Sequence, residues 1–373
     1  MMVAGEASGD LHAANFVKEL KRLEPGTHFY GIAGPRMRAE GVEAVHDASE
    51  LSVVGLIEPL LQYRRLSALL REMQERVCRD RPDLLVLTDY PDFNLRLART
   101  ANACGVKVLF YVSPQVWAWR QGRVKGIGEV VDMMAVIFPF ETQFYEQHGI
   151  PVRYVGHPLV DEVKPSLSRE QAIQHFGLDP DKQTVGLFPG SRRGEIKRLL
   201  PIILESAKII QTTHPDVQFI LPIASSLSRE MIQPCLDAVD VEVILVDGQS
   251  YDVAQTCDAI ITASGTATLE VAMMGIPMAI TYKVAWLTYA IVGRMIKIPI
   301  IGLANIVAGE EVAKEFVQSR ARPEAIAAEI MRILDDPDYA RIIREKLGHV
   351  KEKLGEGGGS EKLARLALEM LED

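Results

Sequence analysis

Asp89 and Asp92 stand three residues apart in LTDYPDFN, residues 87–94, directly behind the apolar run Leu84, Leu85, Val86 and Leu87. A carboxylate at the end of a strand can take the proton from an attacking hydroxyl, provided that it reaches that hydroxyl at hydrogen-bond distance. Asp92 follows Pro91 and precedes Phe93, Leu95, Leu97 and Ala98, which suits an N-cap for the next helix. Asp89 lies before the turn, where no helix yet needs a cap, and is a candidate for that base. Glu6, Asp10 and Asp92 are its rivals.

Three further loops carry chemistry. In AGEASGD, residues 4–10, Gly5 and Gly9 permit a tight turn, and Ser8 or Asp10 can cap the helix that follows. Glu6 is the carboxylate that capping leaves unexplained. The loop matches neither G-x-G-x-x-G nor a Walker ending. In LFPGSRRGEI, residues 187–196, Pro189 and Gly190 make a turn and Ser191 can cap. Arg192 and Arg193 then stand at a helix start, where the macrodipole favours acidic residues, and an anionic ligand resolves that conflict. In ITASGTATLE, residues 261–270, small residues let a diphosphate approach the helix N-terminus, while Glu270 can accept both hydroxyls of a ribose.

YVSPQVWAWRQGRVK, residues 111–125, supplies Trp117 and Trp119 with Arg120, Arg123 and Lys125, aromatics that can stack on or pack against a ligand and basic groups that can hold a phosphate, or else core indoles and a solvated basic helix. His12 and His157 read as structural histidines. Two greasy stretches, 51–61 and 284–307, suit either an apolar ligand or an anionic membrane surface, or ordinary core packing.

Short β-branched runs alternating with amphipathic ones must position these loops, the pattern of βαβ units and parallel sheets. Strands are expected at 1–4, 29–33, 84–88, 106–112, 133–138 and 152–155, and again at 184–188, 218–223, 241–246, 259–262 and 277–281. Ala13, Phe16, Val17 and Leu20 share one helical face, as do Ile196, Leu199, Leu200, Ile203 and Ile210. The expected fold class is α/β, with two Rossmann-like doubly wound domains at 1–160 and 183–335, a proline-punctuated linker at 161–182, and C-terminal helices at 336–373. Those helices either pack back on the first domain or exchange in a dimer, the glycine-rich stretch 355–360 serving as hinge. The first strand is shorter than the usual ~5–6 residues, which is compatible with a start upstream of Met1.

Bulk properties exclude other classes. The 373 residues exceed a single ordinary core, and 48% hydrophobic with 24% charged residues describes a globular chain. A net charge of -9 disfavours broad nucleic-acid binding. The four cysteines, Cys78, Cys104, Cys235 and Cys257, form no C-x-x-C pair and are expected as reduced thiols. No signal peptide is evident, and the apolar run around 284–307 is broken by Arg294, Lys297 and Pro299, short of the ~20 residues of a spanning helix.

AGEASGD, GIAGPRM, DYPDFN, YVSPQVWAWR, FPFE, GHPL, PGSRRGEI and ASGTATLE, in this order, resemble the lipid-A-disaccharide synthase family from Gly5 to about Val317. The resemblance implies a GT-B fold, with its two domains facing across a cleft. It also implies an inverting, metal-independent transfer of 2,3-diacylglucosamine from its UDP conjugate to 2,3-diacylglucosamine 1-phosphate, giving a β-1,6 disaccharide and UDP. No cofactor is expected. Asp89 is then the base. The donor contacts are Gly190, Ser191, Arg192, Glu195, Ser264, Gly265, Thr266, Ala267, Thr268, Glu270 and Asn305, with Ala304 where the family pattern has proline. The acceptor contacts are Glu6, Ser8, Gly9, Asp10, Trp117 and Arg120. The enzyme is expected in the cytoplasm, peripherally on the inner membrane, with a homodimer allowed. Other UDP-sugar enzymes of the same fold, an N-acetylglucosaminyltransferase or a 2-epimerase, and a non-catalytic nucleotide-sugar-binding protein are the alternatives; the first would open with G-G-T-G-G-H.

Overall fold

The computed structural model describes residues 1–5, 7–51, 59–117, 121–284 and 300–372. The chain divides into two compact units, one formed by Met1–Pro158 with Glu356–Asp373 and the other by Leu159–Gly355.

In the first unit the elements run β1 (Met2–Ala4), α1 (Ala7–Leu23), β2 (Tyr30–Ala33), α2 (Pro35–Ala39), β3 (Glu43–Asp47), α3 (Pro59–Asp80), β4 (Leu84–Thr88), α4 (Pro91–Ala103), β5 (Lys107–Tyr111), α5 (Val124–Gly128), β6 (Met133–Val136), α6 (Pro139–Glu146) and β7 (Val152–Tyr154). Among the described residues they form a parallel sheet ordered β3-β2-β1-β4-β5-β6-β7. β1 and β4 are buried along their whole length, as strands covered on both faces must be. The order reverses between them, so the loops after β1 and β4 meet at the sheet's switch point, where open α/β sheets bind ligands.

The second unit contains α7 (Leu159–Glu162), α8 (Arg169–Phe176), β8 (Thr184–Phe188), α9 (Arg193–Thr213), β9 (Gln218–Ile223), α10 (Arg229–Leu236), β10 (Val243–Asp247), α11 (Ser250–Ala254), β11 (Ala259–Ala263), α12 (Thr266–Met273), β12 (Met278–Tyr282), α13 (Leu303–Ala308), β13 (Lys314–Val317), α14 (Pro323–Asp335) and α15 (Pro337–Lys353). Its parallel sheet is ordered β10-β9-β8-β11-β12-β13, with the switch between β8 and β11.

The structure differs from the sequence expectations at several points. Residues 161–182, expected as a linker, lie within the second unit. The Asp252 carboxylate accepts the Ser166 amide at 2.7 Å, its hydroxyl at 2.6 Å and the Leu167 amide at 2.9 Å, tying the segment to α11. The C-terminal stretch 336–373 divides. α15 belongs to the second unit, whereas α16 (Gly359–Glu372) belongs to the first, where it packs on α1 and where Lys107 donates to the Met370 carbonyl at 2.8 Å. Left-handed Gly355, Gly357 and Gly358 make the break between these helices.

Cys78 and Cys104, expected as free thiols, form a disulfide with Cα atoms 5.4 Å apart, while Cys235 and Cys257 are free. Their 26-residue separation conceals the pairing, because only the packing of α3 against α4 brings the two helix ends together. Among the described residues no helix is long and apolar enough to cross a membrane. Most of the stretch 51–61 and residues 285–299 of the second greasy stretch fall outside the described residues, although Leu51 itself is buried.

Candidate active site

In the second unit, the loops after β8, β9, β10 and β11 enclose a cavity of about 460 Å³. Gly190, Ser191, Arg192, Glu195, Ser264, Gly265, Thr266, Ala267 and Glu270 all line it. Pro222, Ile223, Ala224, Ser225, Gly248 and Ser250 line it as well. Sequence reasoning missed this second group, because short loops after β9 and β10 carry no charged signature. Their position at the carboxyl ends of parallel strands is the signal that could have found them.

The local chemistry of the two helix starts differs. At α9 the N-cap is Arg192 rather than Ser191, and the Glu195 carboxylate accepts the amides of Ser191 at 3.0 Å and Arg192 at 3.2 Å. An internal carboxylate thus occupies amides that were expected to be open to a ligand. Gly190 has φ 99°, and a Cβ there would meet Glu195 Oε2 at 2.2 Å, so this turn requires glycine. The Arg192 side chain is 80% exposed, with one guanidinium nitrogen 3.6 Å from Glu195.

At α12 the N-cap is Gly265, with no side chain capping the helix, and exposed Gly265 and Thr266 stand at its start. A positive helix end without a carboxylate is an anion site. Glu270, half-buried one turn along, has its carboxyl pushed up to about 7 by burial and by the neighbouring Glu162.

Two donor expectations are corrected. Thr268 is fully buried, its hydroxyl donating to the Gly265 carbonyl at 2.8 Å, and it holds the turn instead of lining the cavity. Asn305 is also fully buried. Its amide nitrogen donates to Ala313 O at 2.6 Å and Glu315 Oε1 at 2.8 Å, and its oxygen accepts the amides of Val312 and Ala313, so it joins α13 to β13. Ala304 is buried as the second residue of α13. The carboxylate pairs Asp179/Asp181 and Asp336/Asp338 make local turns and caps away from the cavity, Asp179 accepting the Asp181 amide and Asp336 that of Tyr339. Among the described residues no cluster of three or more His, Cys, Asp or Glu side chains could hold a metal ion.

In the first unit the turn after β4 is strained. Asp89 has φ 53° and Tyr90 φ 42°, left-handed values that are uncommon outside glycine. Tyr90 is the N-cap of α4 and makes no side-chain cap. Asp92, expected in that role, instead lies inside the first turn, exposed and paired with Arg123 at 2.7 Å. The reason is the double left-handed turn, which lets the helix begin at Pro91. Asp89 is half-buried; its amide donates to Tyr111 O at 3.1 Å and its carbonyl accepts from Asn94 Nδ2 at 2.7 Å. Asn94, fully buried and unnoticed in the sequence, therefore braces the turn from below.

Asp10 has a structural task. Its buried carboxylate accepts the amides of Gly34 at 3.0 Å, Arg36 at 2.9 Å and Met37 at 3.1 Å, capping α2 from outside and not the helix that contains it. A Cβ on Gly34 would lie 2.4 Å from the Asp10 carboxyl carbon, which explains the glycine in GIAGPRM. Three committed amides remove Asp10 from the rivals for the base role and from the acceptor contacts. Ser8 is exposed at the second residue of α1, and buried Gly9 packs on Ala4 and Thr88.

Trp117 is only 8% exposed and donates its indole N–H to Glu141 at 3.0 Å, so it forms wall and not a stacking platform. Burial pushes the Glu141 carboxyl up to about 7, against hydrogen bonds that favour its charged form. Buried His157 packs on Phe138, and burial, then the nearby His12, lowers its pKa to about 3, leaving it neutral. Glu6, Trp119 and Arg120 lie outside the described residues.

Residues 1–368 match the family model described as lipid-A-disaccharide synthetase. The lipid-A-disaccharide synthase of Geobacter sulfurreducens is 56% identical over 371 residues, covering 100% of this chain and 97% of the relative. That of Coxiella burnetii (strain Dugway 5J108-111) is 44% identical, covering 98% of this chain and 96% of the relative. Among solved structures, the UDP-GlcNAc 2-epimerase of Neisseria meningitidis superposes with a TM-score of 0.67 at 14% identity, covering 99% of both chains. CalG4, the calicheamicin glycosyltransferase, does so with a TM-score of 0.66 at 16% identity, covering 100% of this chain and 97% of the other. These likenesses show the fold, and the sequence matches show more: the chain belongs to the lipid-A-disaccharide synthase family, GT-B glycosyltransferases of lipid A biosynthesis.

Proposed function

We propose that the second unit binds UDP-2,3-diacylglucosamine and the first unit binds 2,3-diacylglucosamine 1-phosphate. Asp89 takes the proton of the acceptor's 6-hydroxyl as that oxygen attacks the anomeric carbon. The new C–O bond forms as the bond to the β-phosphate breaks, with inversion to a β-1,6 linkage and departure of UDP. The observation that carries this reading is the cavity of about 460 Å³, with the uncapped start of α12 and the Glu270 carboxyl both on its lining. The helix dipole and Arg192 stabilise the charge that develops on the leaving diphosphate. The transfer is proposed to need no metal, the positive charge being supplied by that helix start and by Arg192. Peripheral attachment to the cytoplasmic face of the inner membrane, and a homodimer, belong to the same proposal.

The test is the product formed in excess chelator. A new β-anomeric proton resonance, appearing together with UDP release that depends on the acceptor, is expected. An α-anomer, or turnover abolished by chelation, would overturn the reading.

Glu270 gives this proposal a pH signature. Its ionised form accepts both ribose hydroxyls, whereas the protonated acid loses acceptor capacity. Because its carboxyl titrates near about 7, UDP binding is expected to tighten as pH rises through that value and then level off. In Glu270→Gln the step should vanish, leaving affinity about tenfold weaker at alkaline pH, in line with one lost charge-assisted hydrogen bond. Titration calorimetry across the neutral range measures both effects, and a wild-type affinity independent of pH would contradict the assignment.

A further inference from the structure

The FPFE stretch contributes a buried acid that the reaction above leaves unused. Glu141 is the third residue of α6, where a glutamate commonly reaches back to the N-cap amide from the surface. Here it does reach back, accepting the Phe138 amide at 3.1 Å, yet the residue is 1% exposed. Its other oxygen takes the Trp117 indole N–H at 3.0 Å, and the Ser113 hydroxyl, 2.8 Å from the Tyr145 hydroxyl, is a further partner. Burying a carboxylate is costly, and capping α6 does not require it. What burial adds is a grip on Ser113 and Trp117 in the loop that follows β5.

That loop opens on Val112, a β-branched residue at φ 63°. Such a conformation costs about 1–3 kcal/mol and persists only where its surroundings over-determine it. The residue before it, Tyr111, pairs with Thr88 in the sheet and accepts the Asp89 amide at 3.1 Å. Two strained turns on adjacent strands are thus joined by one hydrogen bond, and the Glu141 carboxylate anchors the far side of the second.

We propose that Glu141 is a positioning residue of the acceptor half: its buried carboxylate locks the turn after β5 and, through the Tyr111 carbonyl, the turn that carries Asp89. This rests on the reading of Asp89 as base. Glu141→Gln keeps the shape but sets an amide N–H2 against either the Trp117 or the Phe138 donor. Trp117→Phe removes the N–H while keeping a ring against Phe140, whose centroid lies 4.8 Å from that of Trp117.

The experiment measures kcat, acceptor KM, UDP affinity and melting temperature for both variants, their double mutant and Asp89→Asn. Each single variant is expected to lose about 10–100-fold in kcat, the scale of a slight misplacement of a catalytic group. Acceptor KM and UDP affinity should stay within about twofold, and the double mutant should fall little further than Glu141→Gln, because the two residues act as one unit. Normal kcat in both single variants, with Asp89→Asn inactive, overturns this inference alone. A parallel loss of UDP affinity marks a merely structural role and also overturns it. Normal kcat in Asp89→Asn overturns the base reading and with it the route through Tyr111. Should Glu141→Gln fail to fold, Trp117→Phe decides by the same criteria.

Discussion

Asp89→Asn is expected to lower kcat by about 10³-fold, within the range contributed by a positioned general base, while leaving UDP affinity unchanged. Asparagine is nearly isosteric and tolerates the left-handed conformation that Asp89 adopts at φ 53°. The backbone bonds to Tyr111 and Asn94 do not involve the carboxylate, so the turn survives the substitution. Asp92→Asn is the matched control. Its carboxylate is 78% exposed and paired with Arg123, an arrangement that contributes about 0–1 kcal/mol. Single-turnover UDP release separates the two: a large loss at Asp92 with activity kept at Asp89 would exchange their roles.

The second large effect is expected at Arg192. Glu195 already receives the amides at the start of α9, so the positive potential there resides mainly in the Arg192 guanidinium. If it meets the departing diphosphate, Arg192→Ala should cost about 10²-fold in kcat, or about 2.7 kcal/mol of transition-state stabilisation. Arg192→Lys should recover part of this, since a lysine restores charge without the planar fork. The side chain is 80% exposed, so melting temperature should hardly move. Unchanged kcat in Arg192→Ala would assign leaving-group stabilisation to the start of α12 alone.

Much of this architecture is visible in the sequence because fully buried parallel strands read as apolar runs. Residues 84–88, 184–188 and 218–223 are strands with the expected bounds. β3 (EAVHD) and β13 (KEFV) were not legible, because their charged residues leave no clear apolar run. The same limit applies to the sites. Glycine-rich loops with charge announce themselves, so the loops after β8 and β11 were found, whereas Ser225 and Ser250 were not.

Polar residues were misassigned where their partners belong to a different element of the fold. Asp10 caps a helix that starts at Pro35, Asn305 serves β13, and Trp117 meets Glu141. Nothing in local spacing separates a carboxylate that will be consumed by backbone amides from one left for substrate. The left-handed turn at Asp89 and Tyr90 was likewise hidden, since neither residue is glycine.

The central claim is that this chain joins two acylated sugars and releases UDP. Its most direct test is mass spectrometry of the products after mixing the pure protein with UDP-2,3-diacylglucosamine and 2,3-diacylglucosamine 1-phosphate. The predicted result is a tetra-acylated disaccharide 1-phosphate in one-to-one yield with UDP, absent when either substrate is omitted. No disaccharide and no UDP, or conversion of UDP-N-acetylglucosamine to its 2-epimer without any acceptor, would contradict it.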